Sequence, residues 1–429
     1  MDKIAATAVG SPTWVLAVES FAVANKDTAE FQGSHKGAAM CFKTPLHQID
    51  VSLLTSKLAE ASVAIYASLM ATKIMMRERR DIDIVLTTEA FGVFLRFASR
   101  PFEVTTDIPT NAIQLEAIRC MVNSVYMRPD FVNQLLANKS YDAFFALSST
   151  AQSVEFHTLL WKCILASFEQ PLAVTAAITS LRVYATILPT AAYCITSPGF
   201  SQDAAQIALV VELVKAMFVI ANHHKSAAVA ADWPAVDDTM PLFIALLQLP
   251  NTAQVFDLKL QAVNCLMVLH HPAYIEHMVS HGASGALLAF LAYVLFKIRL
   301  EKTKKAQVAT PLIIGLNLLA SAHDGFRSEC ELSIFGSTVC SCIGEMTTGT
   351  ESLPLAPEDK AGAISMAPPP SAKYSVQEGL VSFMTSLDTD LKRCASEFLF
   401  TLCHQNPLEF TQRTGMGNAV ALLRTRGLV

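Results

Sequence analysis

An all-α chain, built as an armadillo- or HEAT-like α-solenoid superhelix, is what this sequence predicts, on three observations. Apolar residues recur at helical spacing along most of the 429 residues, with turn signals between the runs and little strand-like alternation. Hydrophobic residues make up 52% and charged ones 16%, enough apolar material for a continuous core under a quiet surface. The runs come as neighbouring segments with short joints, the pattern of stacked helical repeats, yet with no strict period, so the repeats are degenerate. Nothing breaks the chain into halves, and residues 1–429 read as one solenoid.

Taken in order, the periodicity predicts helices over Trp14–Ala24, Val51–Met76, Thr88–Ala98, Ala112–Tyr126, Pro129–Ala137, Ser140–Leu147, Phe156–Ser167 and Pro171–Leu188. It continues with Asp203–Asn222, Asp238–Gln248, Asp257–His270, Ala273–Ser280, Ala283–Leu300 and Thr310–Ala322. Breaks such as Arg100-Pro101, Asn251-Thr252 and His271-Pro272 separate them. From Thr347 to Lys373 the chain carries Pro354, Pro357 and Pro368-Pro369-Pro370, which predicts a disordered Pro-rich loop within the solenoid. Helices resume near Tyr374. One is marked by the stripe Leu391, Cys394, Phe398, Leu402, with Asp388 and Asp390 at its start and Asn406-Pro407 as its stop. A short last helix lies between Gly417-Asn418 and Gly427, with Arg424 and Arg426 at its end.

The formal net charge of −5 argues against a general nucleic-acid binder. Ten cysteines scattered through the helical runs predict buried reduced thiols rather than a disulfide framework, and Cys340-Ser341-Cys342 lacks a second pair at zinc-ligand spacing. Asp2 and Pro12 spoil the N-terminal apolar run as a signal peptide, and Gly282–Phe296 is short for a membrane span, so no integral membrane segment is expected. There is no Gly-rich phosphate loop, no Gly-x-Ser-x-Gly and no His-Glu-x-x-His; His277 and His281 sit four apart without a third ligand. Neither enzyme chemistry nor a cofactor is expected.

The last fifty residues carry a more specific signal. Phe383-Met384-Thr385, Asp388-Thr389-Asp390-Leu391-Lys392, Ser396-Glu397-Phe398-Leu399-Phe400-Thr401-Leu402-Cys403, Thr414-Gly415-Met416-Gly417-Asn418-Ala419 and Arg426-Gly427-Leu428 follow one another in order. This run resembles the end of the folded domain in the synembryn family, the "resistance to inhibitors of cholinesterase" proteins. Internal helices are similar to that family too: Glu116–Asn123, Glu212–Phe218, Leu258–Asn264 and Lys305-Ala306-Gln307-Val308. The resemblance touches points from about residue 69 onward and is strongest after Leu380.

The resemblance implies a cytoplasmic protein, monomeric when free, that grips the C-terminal helix of nucleotide-free G-protein α subunits. It would act as folding chaperone and guanine nucleotide exchange factor, recruited to the cell cortex or membrane surface through the α subunit. An armadillo scaffold for an unrelated peptide is the other reading. Lys73 and Arg77, four apart on one helix face, align with a family arginine pair that contacts the partner's tail; a basic last turn answering the helix dipole is the alternative. As exposed charges they should matter for binding and little for stability. Asn123 matches a motif position where an armadillo asparagine holds a peptide backbone, or else belongs to a solvated face it shares with Glu116 and Arg119. Phe218 continues the stripe Ile207, Val211, Val214 and is either core or partner contact. Asn264 is open between groove and inter-repeat bonding. Lys302, with Lys304 and Lys305, could answer a carboxylate or acidic patch, or be a solvated charge run. Val219 and Val268 stand where family asparagines are expected. Family members continue past the signature into an acidic, phosphorylated tail that supports exchange, whereas this sequence stops at Val429, so the resemblance implies binding before exchange.

Overall fold

The computed structural model describes residues 11–24, 58–77, 86–99, 111–137, 139–150, 153–227, 236–268, 272–296, 302–336 and 375–429. Among them are twenty α-helices and two short 3-10 turns, with no strand. The packing divides into two compact units, Met1–Thr186 and Ile187–Val429. The expected Pro-rich loop at 347–373 and the predicted helical residues 51–57 and 297–300 lie outside the described residues.

In the first unit, α1 (Pro12–Ala24) packs on α2 (Leu58–Met75), α2 on α4 (Ala112–Met127), and α4 on α7 (Val154–Ser167). Helices α2, α4 and α7 thus form a row. Against α4 lie α3 (Thr88–Ser99) and α5 (Phe131–Ala137), followed by α6 (Ser140–Ala146) and α8 (Pro171–Thr179). Phe91, Phe131 and Phe144, on α3, α5 and α6, join these helices to one another, Phe91 meeting the other two edge-on at centroid distances of 5.5 and 6.1 Å.

After α9 (Tyr184–Thr196), the second unit repeats the arrangement with the row α10 (Ala204–Ala227), α12 (Phe256–Val268), α15 (Lys302–Ala322) and α18 (Thr389–Leu402). Its other layer holds α11 (Val236–Gln248), α13 (Pro272–Ser280), α14 (Ala283–Phe296), α16 (Asp324–Phe335) and α17 (Val376–Phe383); α19 (Pro407–Thr414) and α20 (Met416–Thr425) close on α18. Each unit is therefore a two-layer stack of helical repeats, the armadillo/HEAT-like α-solenoid build that the sequence predicts. By length and composition the stretch Ala204–His223 could cross a membrane, as could two bent helix pairs taken as single spans; 61% of the Ala204–His223 window is buried within the fold.

Two devices recur in the stacking. Row helices approach closely enough for a thiol to donate to the neighbouring helix: Cys120 Sγ to the Leu69 carbonyl at 3.4 Å, and Cys265 Sγ to Val214 at 3.3 Å. Both contacts span 51 residues of sequence. The second device is a long side chain in the first turn of a row helix that caps the end of the preceding layer helix, where carbonyls lack intrahelical donors. Gln114 donates to Ala98 O at 3.3 Å, Lys259 to Leu249 O at 2.9 Å, and Lys305 to Leu295 O at 2.6 Å.

Several boundaries depart from the sequence reading. The single helix expected over Pro171–Leu188 is two, α8 and α9, bent by 81° at Arg182, whose φ of +46° is left-handed. The bend lets Ile178 and Val183 both be buried across an exposed Thr179-Ser180. Helix α15 begins at Lys302 rather than Thr310 and runs through Pro311. Asn406-Pro407 does not stop α18. His404 and Gln405, with φ of +52° and +57°, end it, and Asn406 caps α19 by accepting from the Leu408 and Glu409 amides with Pro407 at the first position. The last helix opens at Gly415 (φ +85°), so Gly417 and Asn418 lie inside α20. Helix α16 went unpredicted because its buried stripe is only Phe326, Cys330 and Ile334 and its N-cap is an imidazole, His323 Nδ1 accepting from the Phe326 amide at 3.0 Å.

The expected Leu391–Cys394–Phe398–Leu402 stripe is buried, and Asp388 accepts from the Leu391 amide at 2.8 Å. Phe398→Ala should cost about 3–5 kcal/mol of unfolding free energy as a buried large-to-small change, measured by urea denaturation of the second unit's transition. Lys259 yields a pH prediction. Its ammonium is buried, bonded to Leu249 O and Asn251, and lies 5.2 Å from the Phe290 ring centroid; burial pulls its pKa down to about 8. The unfolded chain then holds a proton that the fold has released, so stability should rise between about pH 8 and pH 10, by on the order of 2 kcal/mol. Lys259→Met should flatten that slope in denaturation curves taken across this range.

Candidate partner-binding surface

Row helices α2, α4, α10 and α12 each leave a stripe of partly exposed residues, and several residues singled out by the resemblance fall on these stripes. In the first unit, α2 presents Tyr66, Met70, Lys73 and Arg77 at partial exposure, and α4 presents Leu115, Arg119 and Asn123, with Tyr126 exposed at its end. Lys73 Nζ lies 2.6 Å from Glu116 Oε2, tying α2 to α4. Arg119 grips the same carboxylate with one guanidinium nitrogen and Glu155 of α7 with the other. A four-member chain of alternating charge thus crosses the row. Its members differ in burial: the Glu116 side chain is 4% exposed, Arg119 34% and Glu155 55%. Burial and the Glu116 charge raise the Tyr66 pKa while Arg119 opposes them.

This corrects two expectations. Glu116 is not part of a solvated face; it is the buried anchor of the stripe. Lys73 is not an independent exposed charge, because reversing it would set an anion against a buried carboxylate. Asn123, one turn beyond Arg119, is half-buried on the same stripe, and Arg77 follows Lys73 just past the end of α2.

In the second unit the stripe of α10 carries Lys215 paired with the buried Glu212 at 3.3 Å, then Phe218 and Val219, both half-buried. Phe218 therefore sits at the margin between core and surface. On α12, Gln261 donates to Asp257 at 3.2 Å and Asn264 donates to Gln261 at 3.3 Å, a polar ladder within one helix face. Lys302 is the first residue of α15. Lys305 is committed to packing through Leu295 O, and burial lowers its pKa.

No group of three metal-ligating side chains occurs among the described residues. His277 and His281 stack on each other at 4.2 Å, with His281 Nδ1 on the His277 carbonyl. The seven described cysteines are buried and unbridged, and burial raises the pKa of each.

The family model for the guanine nucleotide exchange factor synembryn matches residues 68–337 and 365–429. The chain belongs to the synembryn family. Curated relatives match locally. Chaperone Ric-8A of Xenopus laevis is 48% identical over 60 residues, 14% of this chain and 11% of the relative. Chaperone Ric-8A of Mus musculus is 56% identical over 50 residues, 12% and 9% respectively. The matched stretches span about a tenth of each relative's length. A solved structure described as "A conserved phosphorylation switch controls the interaction between cadherin and beta-catenin in vitro and in vivo" aligns over 93% of this chain and 68% of its own, at 12% identity and a TM-score of 0.44.

The ion chain gives a testable coupling. Glu116→Gln and Lys73→Met should each cost about 1–2 kcal/mol, below the range for fully buried pairs because both cations reach water. In a double-mutant cycle the two changes should fall short of additivity by about 1 kcal/mol. Strict additivity in urea melts would show that Lys73 and Glu116 do not interact.

Proposed function

We propose that this synembryn-family chain binds the α subunit of heterotrimeric G proteins in the nucleotide-free form, through that partner's C-terminal helix, as folding chaperone and guanine nucleotide exchange factor. The family match over most of the chain carries the reading, together with relatives named as chaperones. The stripes of the row helices suit the task. In the first unit Lys73, Arg77 and Asn123 are assigned to the partner's tail, and in the second unit Phe218, Asn264 and Lys302 to its helix. Lys305 is assigned to holding α15 in place.

The mechanism needs no bond-making by this chain. A protein that prefers the open, empty α subunit lowers nucleotide affinity by the ratio of its own affinities for the two states, about 1.4 kcal/mol for each tenfold. The same preference shields a nascent subunit until nucleotide arrives. Such a protein works in the cytoplasm and reaches the membrane surface with its partner.

Co-expression with an α subunit is expected to raise its soluble yield and give a nucleotide-free complex on gel filtration that GTP dissolves. Arg77→Glu should weaken that complex about five- to tenfold, whereas Lys73→Glu should weaken it and also lower the melting temperature, because it sets an anion against the buried Glu116. No gain in yield and no complex would transfer the reading to an armadillo scaffold with another ligand.

A further inference from the structure

The run of charges across α2, α4 and α7 is closed at one end and open at the other. Glu116 is buried in the middle of α4 and held by Lys73, so the guanidinium arm it binds is fixed. The second arm of Arg119 points toward α7 and is taken by Glu155, an exposed residue in that helix's first turn. Glu155 has its own reason to be there, since an acidic side chain near a helix N-terminus is favoured by the dipole. It loses little by exchanging Arg119 for water, because an exposed ion pair is weak. A planar guanidinium with one arm anchored is by contrast well prepared for a second carboxylate, since orientation is already set.

We infer that Arg119 is a carboxylate-receiving residue of the partner surface and that Glu155 is its built-in occupant, which an incoming carboxylate must displace. The inference deepens the proposed function and rests on it for the identity of the partner. Glu155 thereby sets a threshold: a ligand that brings only apolar contacts leaves the Arg119–Glu155 pair intact and finds the anion nearby, while one that brings a carboxylate replaces Glu155 at little cost. The carboxylate can come from an acidic side chain or from a free chain terminus. Glu116 is the positioning residue, acting on the ligand only through the cations it orients.

The test compares wild type, Glu155→Gln and Arg119→Gln in two titrations. In the first, a synthetic peptide copied from the C-terminal helix of the G-protein partner is added with a free or an amidated terminus, and with its acidic side chains intact or replaced by amides. Glu155→Gln should bind about three- to tenfold tighter, and Arg119→Gln should abolish that gain. The form of the peptide that loses the gain identifies the source of the carboxylate. The second titration needs no partner: sodium glutarate is added while the Arg119 guanidinium nitrogen resonances are followed at constant ionic strength. Saturable shifts at lower concentration in Glu155→Gln than in wild type support the inference. If the peptide binds no variant but glutarate behaves as expected, the reading of a G-protein partner fails and the receiving site stands. If glutarate leaves Arg119 equally unmoved in both, or Glu155→Gln binds the peptide no tighter at unchanged melting temperature, the inference is overturned.

Discussion

The close approach of the row helices governs the rest of the molecule. A helix packed on a row neighbour at either side and on a second layer behind keeps only one stripe for water. Thiols that donate to backbone carbonyls of the next helix, at Cys120 and Cys265, show how little room is left between row neighbours. Small and apolar residues can fill such a space. A charge can enter only with its partner, as Glu116 does with Lys73 and Arg119, and a stranded carbonyl at a layer-helix end must find a donor, as it does in Gln114, Lys259 and Lys305.

The same economy explains how a surface of modest charge could recognise a partner. Cations on the stripe are pre-oriented from below by buried carboxylates, at Glu116 in one unit and Glu212 in the other, so less side-chain freedom is lost on binding. Where the anchor is buried, affinity depends on the fold; where the counter-ion is exposed, as with Glu155, the proposed exchange becomes cheap, and on that proposal specificity comes from which pairs are exchangeable.

Much of this was legible in the sequence. Helix existence followed from apolar spacing, and α18 with its Asp388 cap was readable because stripe and cap agree. The misses have local causes. The break at Arg182 lay inside an apolar run whose spacing simply restarts, and α16 hides behind three apolar residues and a histidine cap. At the proposed site, the family resemblance marked Lys73, Arg77 and Asn123, but nothing in Glu116 shows from its own helix that it is buried. Lys73 and Glu155, the two ends of the ion chain, stand on other helices, 43 and 39 positions away in the numbering, so it exists only once three helices stack. Lys305 misled for the opposite reason: in a run of lysines it reads as surface, and its amine is spent on a carbonyl ten residues back.

The assignment of the partner to the row stripes can be tested by placing a photo-crosslinking residue at Asn123, on the stripe of α4, and in a second protein at Leu172, exposed on α8 of the other layer. Irradiated with a nucleotide-free G-protein α subunit, the first should crosslink to that partner's C-terminal helix and the second should not. Crosslinking from Leu172 with none from Asn123 would contradict the account.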